Sequence, residues 1–227
     1  MNSIKTMRRF VSYALSGDSL FRAYQNEHIR SLRVEGQVLD IGSKSPDAKH
    51  LRHLSGSPEA IILSDADPID EKMLRLDVNT EFPFDNQRFD TVLAMNLLEH
   101  VYEWGNCASE VFRVLKPGGV WHGVLPFLYQ VHGDPNDYWR ATPEALGIFL
   151  KRAGFAEVEI EILGVGKEHA RAMTNHGFQS FRSLRLLSWL KAVIIDKKIN
   201  RNQFAEKNSK FFLGLAFTAR RPDTGMS

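Results

Sequence analysis

The chain has 227 residues, 43% of them hydrophobic and 25% charged, which is enough apolar material for one sizeable soluble domain. Its formal net charge of +2 is too small to point to nucleic acid, and no nucleic-acid partner is expected. The single cysteine, Cys107, excludes an intramolecular disulfide, fits a reducing compartment and reads as a small core residue.

Residues 3 to about 32 read as helical, with Phe10, Tyr13, Ala14, Phe21, Tyr24 and Ile29 as buried positions. Gly17-Asp18 divides the stretch, with Asp18 or Ser19 as the second N-cap. Packing on a sheet edge and service as a lid over a crevice are both open to it. Lys5, Arg8 and Arg9 lead into a run that polar residues soon interrupt, which makes a poor signal peptide. No run is long and apolar enough to span a bilayer, and a cytoplasmic location is expected.

Gln37 to Ile41 reads as a first strand that climbs to Asp40, with Gly42 and Ser43 directly after it. A glycine there lets the backbone turn sharply and come close to a ligand. A helix is expected from Asp47 to Leu54, then strands at Ala60–Leu63, Met73–Leu76 and Phe89–Met95. Val111, Phe112 and Leu115 recur at helical spacing within Ser109–Leu115, and Lys116-Pro117-Gly118-Gly119 is the expected stop. A fifth strand follows at Val120–Leu125. Thr142-Pro143-Glu144 supplies an N-cap, a first-turn proline and an acid for a helix to Arg152, which Gly154 ends. Val158–Leu163 and Phe211–Thr218 complete the strands.

Between them, residues 165–209 carry Arg182, Arg185, Lys191, Lys197, Lys198 and Arg201, interleaved with Leu184, Leu187, Trp189, Val193 and Ile194. This basic amphipathic insertion packs on the domain or on a second subunit, as in a homodimer, or else docks through 182–201 on a membrane surface or acidic partner.

Strands alternating with helices predict an α/β fold: a Rossmann-like, doubly wound, seven-stranded and mostly parallel sheet with helices on both faces. The chain then forms a single domain, with 1–33 as a helical extension, 34–164 as the core and 210–220 as the last strand. Such sheets bind ligands outside the carboxyl ends of their strands. Asp40, Asp65, Asp77 and Asn96 all fall at those ends.

Two stretches carry a resemblance. Asp90-Thr-Val-Leu-Ala-Met-Asn-Leu-Leu-Glu-His-Val101 is followed by Glu110-Val-Phe-Arg-Val-Leu-Lys-Pro-Gly-Gly119, with Glu81-Phe-Pro-Phe84 ahead of both. In these motifs the chain resembles the class I S-adenosylmethionine-dependent methyltransferases of the type 11 branch, over residues 36 to about 163. The resemblance implies S-adenosylmethionine as cofactor. Asp40, Gly42 and Ser43 would lie at its methionine end, with Asp40 acting on the ammonium directly or through water. Asp65, with Asp67 as rival, would take the ribose hydroxyls. Asp77 and Val78 would meet the adenine, and Asn96 would offer its carbonyl near the ammonium. The family pattern D-x-G-x-G-x-G is not kept: Ser43 replaces a glycine at modest cost, and Lys44 and Ser45 call for a loop unlike the commonest one.

Pro126-Phe127 and the run His132-Gly-Asp-Pro-Asn-Asp-Tyr-Trp-Arg-Ala-Thr142 resemble methyltransferases of bacterial surface-polysaccharide assembly. That implies a sugar or glycan-precursor acceptor with a hydroxyl or amine; a small metabolite, a lipid-linked quinone and a degenerate scaffold subunit are the alternatives. His132 is the first candidate for general base, because an imidazole with pKa of about 6.5 accepts a proton at neutral pH. Asp134 and Asp137 would orient it or bind sugar hydroxyls. Tyr138 and Trp139 offer flat surfaces to a ring, and Arg140 either pairs with an anionic acceptor or locks Asp137. His100 lines the acceptor side or starts a helix. His50, His53 and His122 lack metal-ligand spacing, so no metal is assigned.

Overall fold

The computed structural model describes residues 4–175, 181–200 and 209–223. Seven strands form one sheet in the order β3-β2-β1-β4-β5-β7-β6. Their ranges are β1 Arg33–Ile41, β2 Ser55–Asp65, β3 Leu74–Arg75, β4 Phe89–Met95, β5 Leu115–Pro126, β6 Glu157–Leu163 and β7 Gly214–Arg220. The ladders β1–β2, β1–β4, β2–β3 and β4–β5 run parallel. β7 runs the other way: the Ala156 N–H donates to the Arg220 carbonyl at one end and the Leu213 N–H to the Leu163 carbonyl at the other. The expected doubly wound, mostly parallel sheet is therefore present. β1 and β4 lie side by side at its centre, and the chain winds outward from them in both directions. That is the switch point at which such sheets open a crevice.

The chain divides into two compact units. One comprises residues 29–125, 131–161 and 215–227; the other comprises 1–28, 126–130 and 162–214. Most of the N-terminal extension, to residue 28, and the inserted segment thus belong to the same unit.

The first unit holds most of the sheet. β4 matches its expected bounds, and all but one of its residues are buried, which is why it reads as a continuous apolar run. β3 is only two residues long, against four expected. The expected helix at Asp47–Leu54 is a 3-10 turn, Lys49–His53. Helix α3, Trp104–Val114, passes into β5 with no loop, since Leu115 is already extended and pairs with Phe89. Lys116-Pro-Gly-Gly therefore lies inside the strand rather than between elements. Thr142 caps the helix Pro143–Arg152 as expected, its hydroxyl accepting from the Ala145 N–H at 3.3 Å. Cys107 is fully buried, and burial pushes its thiol up to about 12, so it is an inert core residue.

The resemblance motifs turn out to brace this unit. Asp90 accepts from Lys116 Nζ at 2.7 and 2.9 Å and from the Gln37 N–H at 2.8 Å. It lies against Gly36, where an added Cβ would be 2.4 Å from its carboxylate. Burial raises its pKa, but the Lys116 and Gln37 hydrogen bonds win and hold it below the ordinary value. Glu110 accepts from the Phe82 N–H at 2.7 Å, and Arg113 donates to Glu110 and to the Phe82 and Phe84 carbonyls. The E-x-x-R pair thereby pins the Glu81–Phe84 stretch.

In the other unit, α1 (Ile4–Ser16) and the start of α2 (Leu20–Ser31) are separated by Gly17 at φ +98°. Ser19 is the second N-cap, its hydroxyl accepting from the Arg22 N–H. Tyr24 is half-buried, while the other expected core residues of this stretch are buried. The insertion forms α5 (Lys167–Thr174) and α6 (Arg182–Ile199). Its basic residues are not one exposed stripe. Arg185 is buried and donates to the Ala14 carbonyl at 2.7 Å, and Lys191 pairs with Glu168 at 3.5 Å. Asp196 is buried against His169, whose Nε2 meets the Tyr24 hydroxyl at 2.7 Å. Arg201 lies outside the described residues. Among the described residues no helix is long and apolar enough to cross a membrane.

Candidate active site

Every candidate site residue lies in the unit that carries most of the sheet, around the carboxyl ends of β1, β2 and β4. The strand-one turn is held from behind: the Gly42 and Ser43 N–H groups both donate to the Ser64 carbonyl, at 2.8 and 2.9 Å. Gly42 has φ +76°, and a Cβ there would sit 2.8 Å from Leu97 Cδ1. Only glycine fits both the conformation and the space. Ser43 is buried, its hydroxyl directed at the Asp40 carbonyl at 3.4 Å.

Asp40 is buried, with one carboxylate oxygen 2.6 Å from His50 Nε2. The other, Oδ1, is also buried and has no hydrogen-bond partner among the described residues. The 3-10 turn brings His50 inward to make this contact, which sequence spacing did not flag. The signal available was a histidine ten positions after the strand-end acid, in the segment that must fold back over it.

Lys44 is the departure from the glycine pattern. In D-x-G-x-G the second glycine falls at 44, and Lys44 adopts a left-handed backbone, φ +58°. Two contacts hold it there: its N–H donates to Asp65 Oδ2 at 3.1 Å, and its ammonium pairs with Asp134. Lys44 thus holds a left-handed conformation with a side chain attached. Asp65 also accepts from the Asp67 N–H at 3.0 Å. Asp67 is almost fully exposed and pairs with Arg75. The geometry therefore separates the two acids: Asp65 faces the turn, and Asp67 faces solvent. Asp77 is exposed, with Oδ1 accepting from the Asn79 N–H and side-chain amide at 2.9 Å, beside the buried Val78. Asn96 has φ +57°, and its N–H donates to the Val124 carbonyl at 2.7 Å.

Across the β4 end, the loop after β5 is pinned to the 3-10 turn Leu98–His100. The Tyr138 N–H donates to the Glu99 carbonyl at 2.7 Å, and His100 Nδ1 to the Asn136 carbonyl at 2.5 Å. Trp139 Nε1 donates to the Val101 carbonyl at 2.9 Å, and Tyr138 packs edge-on against Tyr102 at 5.4 Å. Arg140 grips Asp137 through two bonds of 2.5 and 2.7 Å and also donates to the Trp139 carbonyl. Asp137 is held well below the usual carboxylate range by those Arg140 bonds, against burial, with the His132 N–H adding. His132 Nδ1 lies 3.4 Å from Asp137, and the His132 ring meets the His100 ring edge-on at 5.0 Å. His100 and His132 are thus neighbours, and the buried Glu99 joins them. No metal was assigned on sequence spacing, yet a potential ligand cluster forms once the loop returns to the turn.

The chain has the Rossmann-like fold of methyltransferases, and residues 36–122 match the family model described as "Methyltransferase domain". The cofactor of that domain is S-adenosylmethionine. Among solved structures, one similar chain comes from a complex with the Haloferax volcanii Trm112 methyltransferase activator (17% identity, 97% of this chain and 99% of that one, TM-score 0.57). Another is Haemonchus contortus phosphoethanolamine N-methyltransferase 2 with S-adenosylhomocysteine (14% identity, 97% of this chain and 58% of that one, TM-score 0.53). A third is the [4+2]-cyclase SpnF (20% identity, 88% and 79%, TM-score 0.51). No curated protein matches the chain by sequence.

The residues present fit the cofactor. Asp40 has a buried oxygen that lacks a donor, Gly42 leaves a cradle no side chain could share, and Asp65 offers two acceptor oxygens beside it.

Proposed function

We propose that the protein transfers a methyl group from S-adenosylmethionine to a hydroxyl or amine of a sugar or glycan precursor. The observation that carries this reading is the ring of acceptors around the β1–β4 switch point, closed on one side by the loop that bears His132. When bound, the cofactor supplies an electrophilic methyl on a sulfonium. Asp40 Oδ1 takes the charge of the ammonium, directly or through one water, while His50 fixes the carboxylate from behind. Asp65 spans the two ribose hydroxyls, which suits its two oxygens. Asp77 would accept from the adenine amino group with its second oxygen, Val78 would lie beside the ring, and the Asn96 carbonyl would face the ammonium.

On the acceptor side, His132 removes the proton that a hydroxyl loses as its bond to carbon forms. Asp137 lies beside its Nδ1 and favours the tautomer that leaves Nε2 as acceptor. Tyr138 and Tyr102 present exposed ring faces for a sugar, and Asp134 stands at the rim with Lys44. His100 and Trp139 line the same wall, while Arg140 serves as a clasp for Asp137. Most of the methyl-transfer barrier is left to alignment and water exclusion, worth roughly 7–11 kcal/mol at the extreme.

Titration calorimetry with S-adenosylmethionine tests the cofactor half; a folded protein that does not bind would overturn it and favour a scaffold role. Turnover against nucleotide-sugars and free glycans tests the acceptor half. Leu187 and Ile194 are each 62% exposed on α6, near Lys191 and Lys198, and this favours a second reading in which the acceptor is lipid-linked. Flotation with anionic vesicles decides it.

A further inference from the structure

Glu99, His100 and His132 each offer one ligand atom, and the three lie within 4.8 Å of one another. They come from two segments, the Leu98–His100 turn and the loop after β5, which the Tyr138–Glu99 and His100–Asn136 hydrogen bonds fasten together.

The His100 tautomer is set for metal binding. A backbone carbonyl can only accept, so His100 Nδ1 carries the proton in its 2.5 Å bond to Asn136. That leaves the lone pair on Nε2, which lies 3.9 Å from the Glu99 carboxylate. For His132, the Asp137 carboxylate lies 3.4 Å from Nδ1. A metal-binding histidine characteristically presents one nitrogen to the ion and donates the other N–H to a carbonyl or carboxylate; His100 does so toward Asn136, and His132 has the Asp137 carboxylate beside its Nδ1.

Glu99 is fully buried, while the nearly buried Asp137 side chain is already paired with Arg140. Ligand atoms around a four-coordinate ion with bonds of about 2.0–2.1 Å stand roughly 3.4 Å apart. The cluster must therefore draw in by about an ångström, and His132, at 36% exposed, has room to turn.

We propose that Glu99, His100 and His132 bind a divalent transition-metal ion, of the zinc type, that receives the acceptor. Two imidazoles and one carboxylate leave at least one position open to a ligand oxygen. The inference rests on the methyltransferase reading and narrows it: an acceptor with a hydroxyl, best with a neighbouring oxygen to chelate, is favoured over an amine. The ion lowers the pKa of a coordinated hydroxyl. A loaded site also changes the part played by His132, because its Nε2 cannot serve as ligand and base at once.

The test uses the full chain, stripped with chelator, exchanged and titrated with Zn2+ and with Co2+. One ion per chain is expected, with a visible Co2+ absorption band. His132→Ala and His100→Ala should each weaken binding at least tenfold, and His53→Ala should not change it. His132 is exposed enough that its variant should melt within a few degrees of the parent. Absence of stoichiometric binding, or unchanged binding in the His100→Ala/His132→Ala double variant, overturns the site. S-adenosylmethionine is titrated into the same samples, so metal binding without cofactor binding sinks the methyltransferase reading alone, and the converse sinks the metal alone. Methyl transfer that survives chelation unchanged and follows a histidine pH limb keeps His132 as base and also overturns the site.

Discussion

Arg140→Ala separates a clasp from a substrate contact. In the folded protein Arg140 makes two charge-assisted bonds to Asp137, whose side chain is 2% exposed. Hydrogen bonds to charged groups contribute about 1.5–3 kcal/mol each, and breaking a buried pair from one side costs up to about 3–5 kcal/mol. Two features bring this down: Arg140 is about a fifth exposed to screening solvent, and Asp137 keeps the His132 N–H. A loss of about 2–4 kcal/mol is expected, or roughly 4–16 °C in Tm for a chain of this length. The pH dependence follows in sign. Asp137 has a depressed folded pKa, so its stabilisation is complete above the ordinary value of 3.8 and is lost as pH falls through the folded value. The gap between parent and variant should hold from pH 8 to 5 and close only below about pH 4. Urea unfolding across that range, with Asp137→Asn completing a double-mutant cycle, is the assay. A Tm loss under 2 °C joined to a raised KM for the acceptor would refute the clasp and make Arg140 an acceptor ligand.

Asp65→Ala should weaken S-adenosylmethionine binding by about 30–100-fold, since two hydrogen bonds are lost, whereas Asp67→Ala should change it less than threefold; calorimetry on both reads the difference. Gly42→Ala meets both φ +76° and Leu97 at 2.8 Å, so cofactor affinity should drop at least tenfold, and unchanged affinity would place the cofactor elsewhere. His50→Ala leaves the buried Asp40 carboxylate without its donor and should cost about 2–4 kcal/mol by urea unfolding; a cost under 1 kcal/mol would mean that Asp40 is neutral or solvated.

Periodicity carried the parts of the fold that are long and buried. β4 reads as one apolar run because most of its residues are covered, and the capped helix Pro143–Arg152 announces itself through Thr142 and Pro143. Elements whose form depends on distant partners did not read out. Lys49–His53 is a 3-10 turn because His50 must reach Asp40, a preference that lies in neither residue alone. The Lys116–Gly119 run reads as a stop, yet it is strand because Leu115 pairs with Phe89 and Arg221 accepts from Gly118. The apparent basic stripe of α6 is broken by Arg185 and Asp196, charges that are buried because each finds a partner far away in sequence. For the site, the strand-end acids were legible from position, but the meeting of His132 with Glu99 and His100 needed the loop's return.

The most recognisable motifs and the most informative residues are different residues. Asp90, Lys116, Glu110 and Arg113, which carry the resemblance, spend their charges on one another and on backbone groups. They specify the sheet and say nothing of the acceptor. Lys44 occupies a position that the pattern gives to glycine, and holding a side chain there at φ +58° costs of order 1–2 kcal/mol. The Asp65 and Asp134 contacts offset that cost. Because Asp134 lies two residues beyond His132, the ion pair links the turn after β1 to the loop after β5. A glycine at 44 would relax the backbone and cut that link, so Lys44→Gly should leave stability nearly unchanged while loosening the acceptor loop. A raised KM for the acceptor with little change in cofactor affinity is the expected signature. Equal loss of both affinities would instead make Lys44 part of the cofactor site itself.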